Sequence, residues 1–184
     1  MTQRDLIDAA KRGDHDAFDA LATAVSGRLY AIARLILRDT YLAEDALQEA
    51  LVNMWRSLPT LRDPARFDAW SYRLIVNACA DTGRQRRRLS AEVRLIASVS
   101  SGEDASAGAA DRDQLERGFR HLRPEQRAAL VLHYLVGLPA RDVADVLGIP
   151  VGTAKSRIHY GTEIMRSALE ADARGQLPTG GRSA

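Results

Sequence analysis

Cysteine occurs once, at Cys79, which excludes a disulfide framework within the chain and suits a reducing cytoplasm. Among helical neighbours that thiol reads as a small apolar residue. The four histidines are scattered. With no His/Cys metal spacing, glycine-rich phosphate loop or nucleophile–base set, the sequence predicts no metal, no cofactor and no enzyme activity. The first eight residues, Met1 to Asp8, carry no apolar signal core. No stretch approaches the roughly 18 apolar residues that span a bilayer. The expectation is a soluble cytoplasmic protein without membrane insertion. Strand signals are nearly absent, and no internal repeat is visible.

What the sequence does hold is helical periodicity. Phe18, Leu21, Val25, Leu29, Ile32 and Ile36 recur at spacings of three and four, predicting an amphipathic helix over 15–38 with Asp14 as N-cap. A second helix is predicted from Tyr41 to Leu58, with Leu47, Leu51, Met54 and Leu58 along its apolar face and Pro59 ending it. Asp63 and Pro64 then form an N-cap and first-turn pair for a third helix. Residues 98–110 have almost no large apolar side chain and read as a flexible acidic linker. Helices resume near Arg112. Another opens at Pro124, with Leu130, Val131, Tyr134 and Leu135 apolar, and stops at Gly137. The prediction is an all-α chain of two small helical domains, 1–94 and 112–170, joined by a linker at 95–111. A disordered tail is expected at 171–184.

Net charge is only +2, but its distribution is uneven. Residues 1–60 carry seven basic and nine acidic side chains, whereas residues 61–94 carry eight and four. That concentration is the footprint of a phosphate-facing surface. Arginine supplies 24 of the 26 basic residues, which suits bidentate phosphate and base contacts and also follows from a GC-rich coding bias. On the third helix, Phe67, Trp70, Leu74 and Ala78 share one face at about 100° per residue. Arg66, Arg73, Asn77 and Arg84 share another, a stripe roughly 40° wide. The first face is expected to be core and the second a surface kept for a partner. Arg86, Arg87 and Arg88 extend the basic end, although cations near a helix C-terminus also favour the dipole without any ligand.

Residues 139–160 fit a helix-turn-helix. Ala144 supplies the small residue at the helix crossing, and Leu147-Gly148-Ile149 the turn. Ala154 and Ile158 supply the buried positions of the second helix, with Met165 and Leu169 continuing that face. Thr153, Lys155, Ser156, Arg157, His159 and Tyr160 are then left facing outward, where such helices meet base edges and phosphates. Duplex reading does not account for the first domain. There Asp45, Gln48 and Glu49 lie away from Leu47, Leu51 and Met54, as a negative patch suited to a basic protein surface or as an ordinary solvated face.

Taken in order, these segments resemble a bacterial sigma factor of the extracytoplasmic-function type, which keeps only the two domains called sigma-2 and sigma-4. The resemblance rests on Gly13-Asp14, residues 42–49, 62–73 with Asn77, 122–127 and 152–159, and it covers residues 5 to about 169. It implies that Asp45, Gln48 and Glu49 dock on the clamp helices of the largest subunit of core RNA polymerase, with other subunits met through sigma-4. It implies that the third helix and the 59–64 loop capture the non-template strand of the −10 element. A flipped base would sit against that loop and Asn77, while Arg66, Arg73, Arg84, Arg86, Arg87 and Arg88 hold phosphates. Trp70 and Tyr72 are candidates for stacking on bases, Trp70 with an alternative place in the core. Thr153, Lys155, Ser156, Arg157, His159 and Tyr160 would meet the −35 duplex. Family members usually continue with basic residues where this chain has Tyr160-Gly161-Thr162-Glu163, which implies weaker or altered −35 binding. An anti-sigma factor is a further implied partner, and a nucleoid-associated location follows from the same resemblance.

The resemblance therefore implies a promoter-specificity subunit that directs core polymerase and begins DNA opening. A free-standing helix-turn-helix regulator is the principal alternative, and a helical adaptor held only by protein contacts is another.

Overall fold

A computed structural model describes residues 2–94 and 117–175. Among them every regular element is a helix or a helical turn. The first body contains α1 (Gln3–Lys11), α2 (His15–Leu37), α3 (Thr40–Ser57) and α4 (Phe67–Arg94), with 3-10 turns at Leu58–Thr60 and Pro64–Arg66 between α3 and α4. The second contains α5 (Pro124–Leu130), which runs on as a π turn at Val131–Leu135, then α6 (Ala140–Leu147) and α7 (Val151–Gly175). The acidic linker expected at 95–111 lies outside the described residues.

Local sequence places the helix starts. Asp14 accepts from Ala17 N–H at 3.0 Å and Asp39 from Leu42 N–H at 3.0 Å. Asp63, at the end of the loop segment before Pro64, accepts from Ala65 N–H at 3.0 Å. Each satisfies an amide that the first helical turn leaves unpaired. The sequence reading passed over α1. Its signal is the pair Thr2 and Asp5, a reciprocal capping box with bonds of 2.8 and 3.2 Å. Hydrogen bonding from Thr2, chiefly from its backbone N–H, holds the Asp5 carboxyl below its ordinary pKa.

The core of the first body is lined by small residues. Ala33, Ala43, Ala46 and Ala50 are fully buried where α2, α3 and α4 meet, and Met54, Leu58, Phe67 and Ile75 fill the space beyond them. This shifts α3 from its expected orientation. Leu47 and Leu51 are only half-buried, because the helix turns its alanines inward and so brings three backbones close together. Helix α4 is shifted too. Its buried face is Phe67, Ser71, Tyr72, Ile75, Ala78 and Cys79, and Trp70 and Leu74 stand at the edge. Ser71 is buried without penalty since its hydroxyl donates to Asp68 O at 2.8 Å.

By length and composition α2 could cross a membrane, contrary to the reading that no stretch comes near. One face of it, Ala17, Leu21, Val25, Leu29, Ile32, Ala33 and Ile36, is instead buried against neighbouring helices. That is the pattern of a core helix.

In the second body, Gly148 takes a left-handed φ of +64° and its N–H donates to Ala144 O, so the chain turns without a Cβ penalty. Ala144, Ala154 and Ile158 are buried as predicted. Tyr134 and Leu135 are not, being 64% and 53% exposed. The π turn adds a residue per turn, so positions after Leu132 fall out of the expected 3.6-residue register. Helix α7 continues through 171–175, past the composition change taken as the start of the tail, and 176–184 lie outside the described residues.

The two bodies touch. Arg73 of α4 donates a hydrogen bond to the main-chain carbonyl of Asp145 in α6. A cleft of about 1090 Å³ lies beside this contact, between Arg62, Arg66, Trp70 and Arg73 on one wall and Leu138, Asp142, Asp145 and Val146 on the other.

Two outcomes follow from this packing. Ala46→Leu overfills the alanine seam at a cost of about 1–3 kcal/mol, so thermal denaturation should show the first body melting lower by roughly 4–8 °C per kcal/mol. Burial pushes the Cys79 thiol up to about 12, leaving almost no reactive thiolate near neutral pH. Iodoacetamide at pH 8 should therefore leave Cys79 unmodified in the native protein and alkylate it in denaturing urea, as mass spectrometry would read.

Candidate nucleic-acid and protein interfaces

With its alanines turned inward, α3 presents Asp45, Gln48 and Glu49 to solvent. Two apolar neighbours that sequence reading missed extend this surface. Tyr41 is 72% and Val52 47% exposed. At about 100° per residue, Tyr41, Asp45, Gln48 and Val52 fall within roughly 60° of one another. The result is a stripe with acid and amide at its centre and an apolar side chain at each end. The signal was present in the spacing of four, three and four, but the apolar residues were read only for burial.

On α4 the expected stripe exists. Arg66, Arg73, Asn77 and Arg84 are all exposed along one side of the helix, opposite the Ser71–Ile75 face. Arg66 comes from the 3-10 turn and the others from the helix itself. Their neighbours differ. Arg84 pairs with Asp81 one turn back. Arg86 is paired at 2.7 Å with Asp39, whose other oxygen caps α3, so this arginine also ties α4 to the start of α3. Arg87 and Arg88 are exposed. The dipole explanation for this cluster fails, because the helix runs on to Arg94 and the effect fades beyond the last turn. Tyr72 is 5% exposed with the Arg28 guanidinium 5.0 Å above its ring, so it is a core residue and no stacking platform. Trp70 is half-buried, its ring 5.8 Å from Phe67, and faces the cleft.

The loop between α3 and α4 is pinned from inside. Leu58 and Leu61 are buried plugs, Leu61 N–H donates to Leu58 O at 3.0 Å, and Lys11 Nζ of α1 donates to Leu61 O at 2.7 Å. Pro59, Thr60, Arg62 and Asp63 are left exposed beside the arginine stripe.

On α7, Lys155, Ser156, His159 and Tyr160 are exposed, while Thr153 and Arg157 are half-buried at the edges of that face. Ala154, Ile158 and Gly161 form the inward seam. A Cβ on Gly161 would lie 3.0 Å from Leu130 of α5. This glycine therefore serves close helix packing, and its position was never available to an outward basic residue. Tyr134 Oη lies 3.3 Å from Thr162 Oγ1, joining the exposed π turn to the same helix. Among the described residues no group of three His, Cys, Asp or Glu side chains is placed to hold a metal ion.

Residues 21–89 match the family described as Sigma-70 region 2, and residues 112–161 match Sigma-70, region 4. The chain is 35% identical over 153 residues to the ECF RNA polymerase sigma factor SigM of Mycobacterium tuberculosis, covering 83% of this chain and 77% of that one. It is 28% identical over 176 residues to the ECF RNA polymerase sigma factor SigW of Bacillus subtilis, covering 89% and 94%. Among solved structures it is similar to CnrH in complex with the cytosolic domain of CnrY, with a TM-score of 0.65 and 27% identity over 92% of this chain and 98% of that one. The fold is also that of RpoE of Bartonella quintana in complex with the anti-sigma factor NepR, with a TM-score of 0.70 and 24% identity over 84% and 98%. Two sigma-70 regions in the same order, on two helical bodies, and this degree of identity over most of both chains show that the protein belongs to the extracytoplasmic-function family of RNA polymerase sigma factors.

Proposed function

We propose that this sigma factor docks on core RNA polymerase through α3, captures the −10 strand with α4 and the 58–66 loop, and reads the −35 duplex with α7. The observation that carries the proposal is the α4 stripe. Three arginines and one asparagine stand exposed along a single line, held there by a buried face on the other side of the helix. Arginines alone would serve any phosphate backbone. The asparagine adds a donor and an acceptor at fixed spacing, which is what reading a base edge requires.

Each surface has a role matched to its chemistry. Asp45, Gln48 and Glu49 meet a basic partner surface, the polymerase clamp helices, and Tyr41 and Val52 add the apolar contacts that give such docking its affinity. Asn77 hydrogen-bonds the flipped base, and Arg66, Arg73, Arg84, Arg86, Arg87 and Arg88 hold phosphates. Arg84 reaches DNA by exchanging the exposed Asp81, a pair worth at most about 1 kcal/mol, and Arg86 by leaving the half-buried Asp39. Lys155, Ser156, His159 and Tyr160, with Thr153 and Arg157 at the margin, contact the −35 element. The domains then run 1–94 and 112–170. The protein works in the cytoplasm at the nucleoid as an initiation factor without catalytic chemistry of its own. CnrH and the Bartonella RpoE were each solved with a partner, NepR being an anti-sigma factor, and an inhibitor of that kind is the regulatory partner we assign here. A free-standing regulator leaves the α3 stripe without a purpose.

Asp45→Arg combined with Glu49→Arg should abolish co-purification with core polymerase while circular dichroism and melting stay as in the wild type. Retained association would remove α3 as the docking surface. Asn77→Ala should change preference at one −10 base by about tenfold, since a good base contact is worth about 1–3 kcal/mol, with core affinity unaltered. In vitro transcription on a promoter library with a randomised −10 element reads this directly. A uniform loss at every position would make Asn77 structural.

A further inference from the structure

Helix α1 lies before both family matches, the first of which begins at residue 21, and none of the roles assigned above falls to it. It is nonetheless firmly placed. Ile7, Ala9 and Ala10 are buried in the core, the Thr2–Asp5 box closes its start, and Gly13 ends it at a φ of +93°. Its last residue, Lys11, has an ordinary explanation, since a cation in a final turn answers the helix's own carbonyls. The ammonium does something else. It leaves α1 and donates to Leu61 O at 2.7 Å, across 50 residues of sequence.

That carbonyl is a specific place to hold. Leu61 stands between the two 3-10 turns, with its side chain buried and its N–H donated to Leu58 O. The bond from Lys11 therefore fixes the remaining freedom of this residue, the rotation of the Leu61–Arg62 peptide plane. A trans peptide directs its C=O and N–H oppositely, so drawing Leu61 O toward α1 turns the Arg62 N–H outward. Among the described residues that N–H has no hydrogen-bond acceptor. It stands beside the exposed Arg62 and Asp63 side chains, at the wall of the cleft that also holds Arg66 and Trp70.

We propose that Lys11 is a positioning residue for base selection: by holding Leu61 O from the core side, it aims the Arg62 amide and the 62–63 side chains at the flipped base of the −10 strand. This rests on the assignment of the 58–66 loop to −10 capture. Lys11 touches no DNA itself. Its effect is on which base is accepted, with no effect on whether polymerase is bound.

The test compares wild-type protein with Lys11→Met, Lys11→Arg and Asn77→Ala, each reconstituted with core polymerase on the randomised −10 library, with core binding and melting temperature measured in parallel. Lys11→Met should lose discrimination about tenfold at the base position where Asn77→Ala loses it, with other −10 positions and core binding changed less than twofold. Lys11→Arg, which keeps a charged donor, should restore discrimination to within about threefold of wild type. Should Lys11→Met melt more than about 5 °C lower, Lys11→Leu, which also lacks a donor, takes its place under the same criteria. Wild-type discrimination in the Lys11 variant beside a clear loss in Asn77→Ala overturns the positioning role alone. Wild-type discrimination in both overturns the −10 assignment and the positioning role with it. Equal loss at every position, or no recovery in Lys11→Arg, makes the contact structural and also overturns the proposal.

Discussion

The close approach of α2, α3 and α4 across buried alanines is the constraint on which the rest of this structure depends. Ala33, Ala43, Ala46 and Ala50 have no accessible surface, and nothing larger fits between backbones packed at interior density. Once those alanines face inward, the outward side of α3 is fixed at Tyr41, Asp45, Gln48 and Val52. The same contact sets the rotation of α4, and with it the line of Arg66, Arg73, Asn77 and Arg84. A helix turned by one residue, about 100°, would bury part of one stripe and scatter the other. Small residues in the core thus decide where the large and charged ones stand outside it.

The charges are arranged so that little is lost when they change partners. Arg28 with Asp68, Arg84 with Asp81 and Arg86 with Asp39 join or brace the helices, but every partner except the half-buried Asp39 is substantially exposed and such pairs are weakly stabilising. The fold is held by burial and by caps, and the ion pairs orient side chains on its surface. An arginine so placed can turn to a phosphate without unfolding anything. The contrast is Tyr72, which lies in the core under Arg28 and has no such freedom.

Much of this was legible in the sequence where a single local interaction decides the outcome. Asp14 and Asp63 cap as their positions predict, and Gly148, Ala144, Ala154 and Ile158 form the helix-turn-helix as their sizes require. The α4 stripe was legible because a long helix keeps its phase. The rest depended on competition. Leu47 and Leu51 were favoured over Ala46 and Ala50 on hydrophobicity, yet close packing rewards the smaller residue. The π turn at Val131–Leu135 changes the period mid-helix, and no residue type announces it, so the apolar Tyr134 and Leu135 stand outside while Leu130 and Val131 are buried. Helix α1 was missed because its apolar stripe, Leu6, Ile7 and Ala10, is only about one turn long and its capping pair is polar. Lys11 to Leu61 joins residues that sequence separation hides altogether.

The bond from Arg73 to the Asp145 carbonyl has a consequence in plain lengths. Base pairs rise about 3.4 Å each, so promoter elements about 25 pairs apart are separated by about 85 Å. Helical bodies of these sizes have radii of gyration of only about 10–12 Å. Held in contact, they fall far short of that span, whereas the 22 residues from 95 to 116 reach up to about 75 Å when extended. On the −10 role proposed for it, Arg73 has two engagements that exclude each other, the Asp145 carbonyl when the molecule is folded on itself and the −10 strand when it is on a promoter. A ligand that clamps the two bodies together and the promoter that draws them apart must each weaken the other's binding by the same factor.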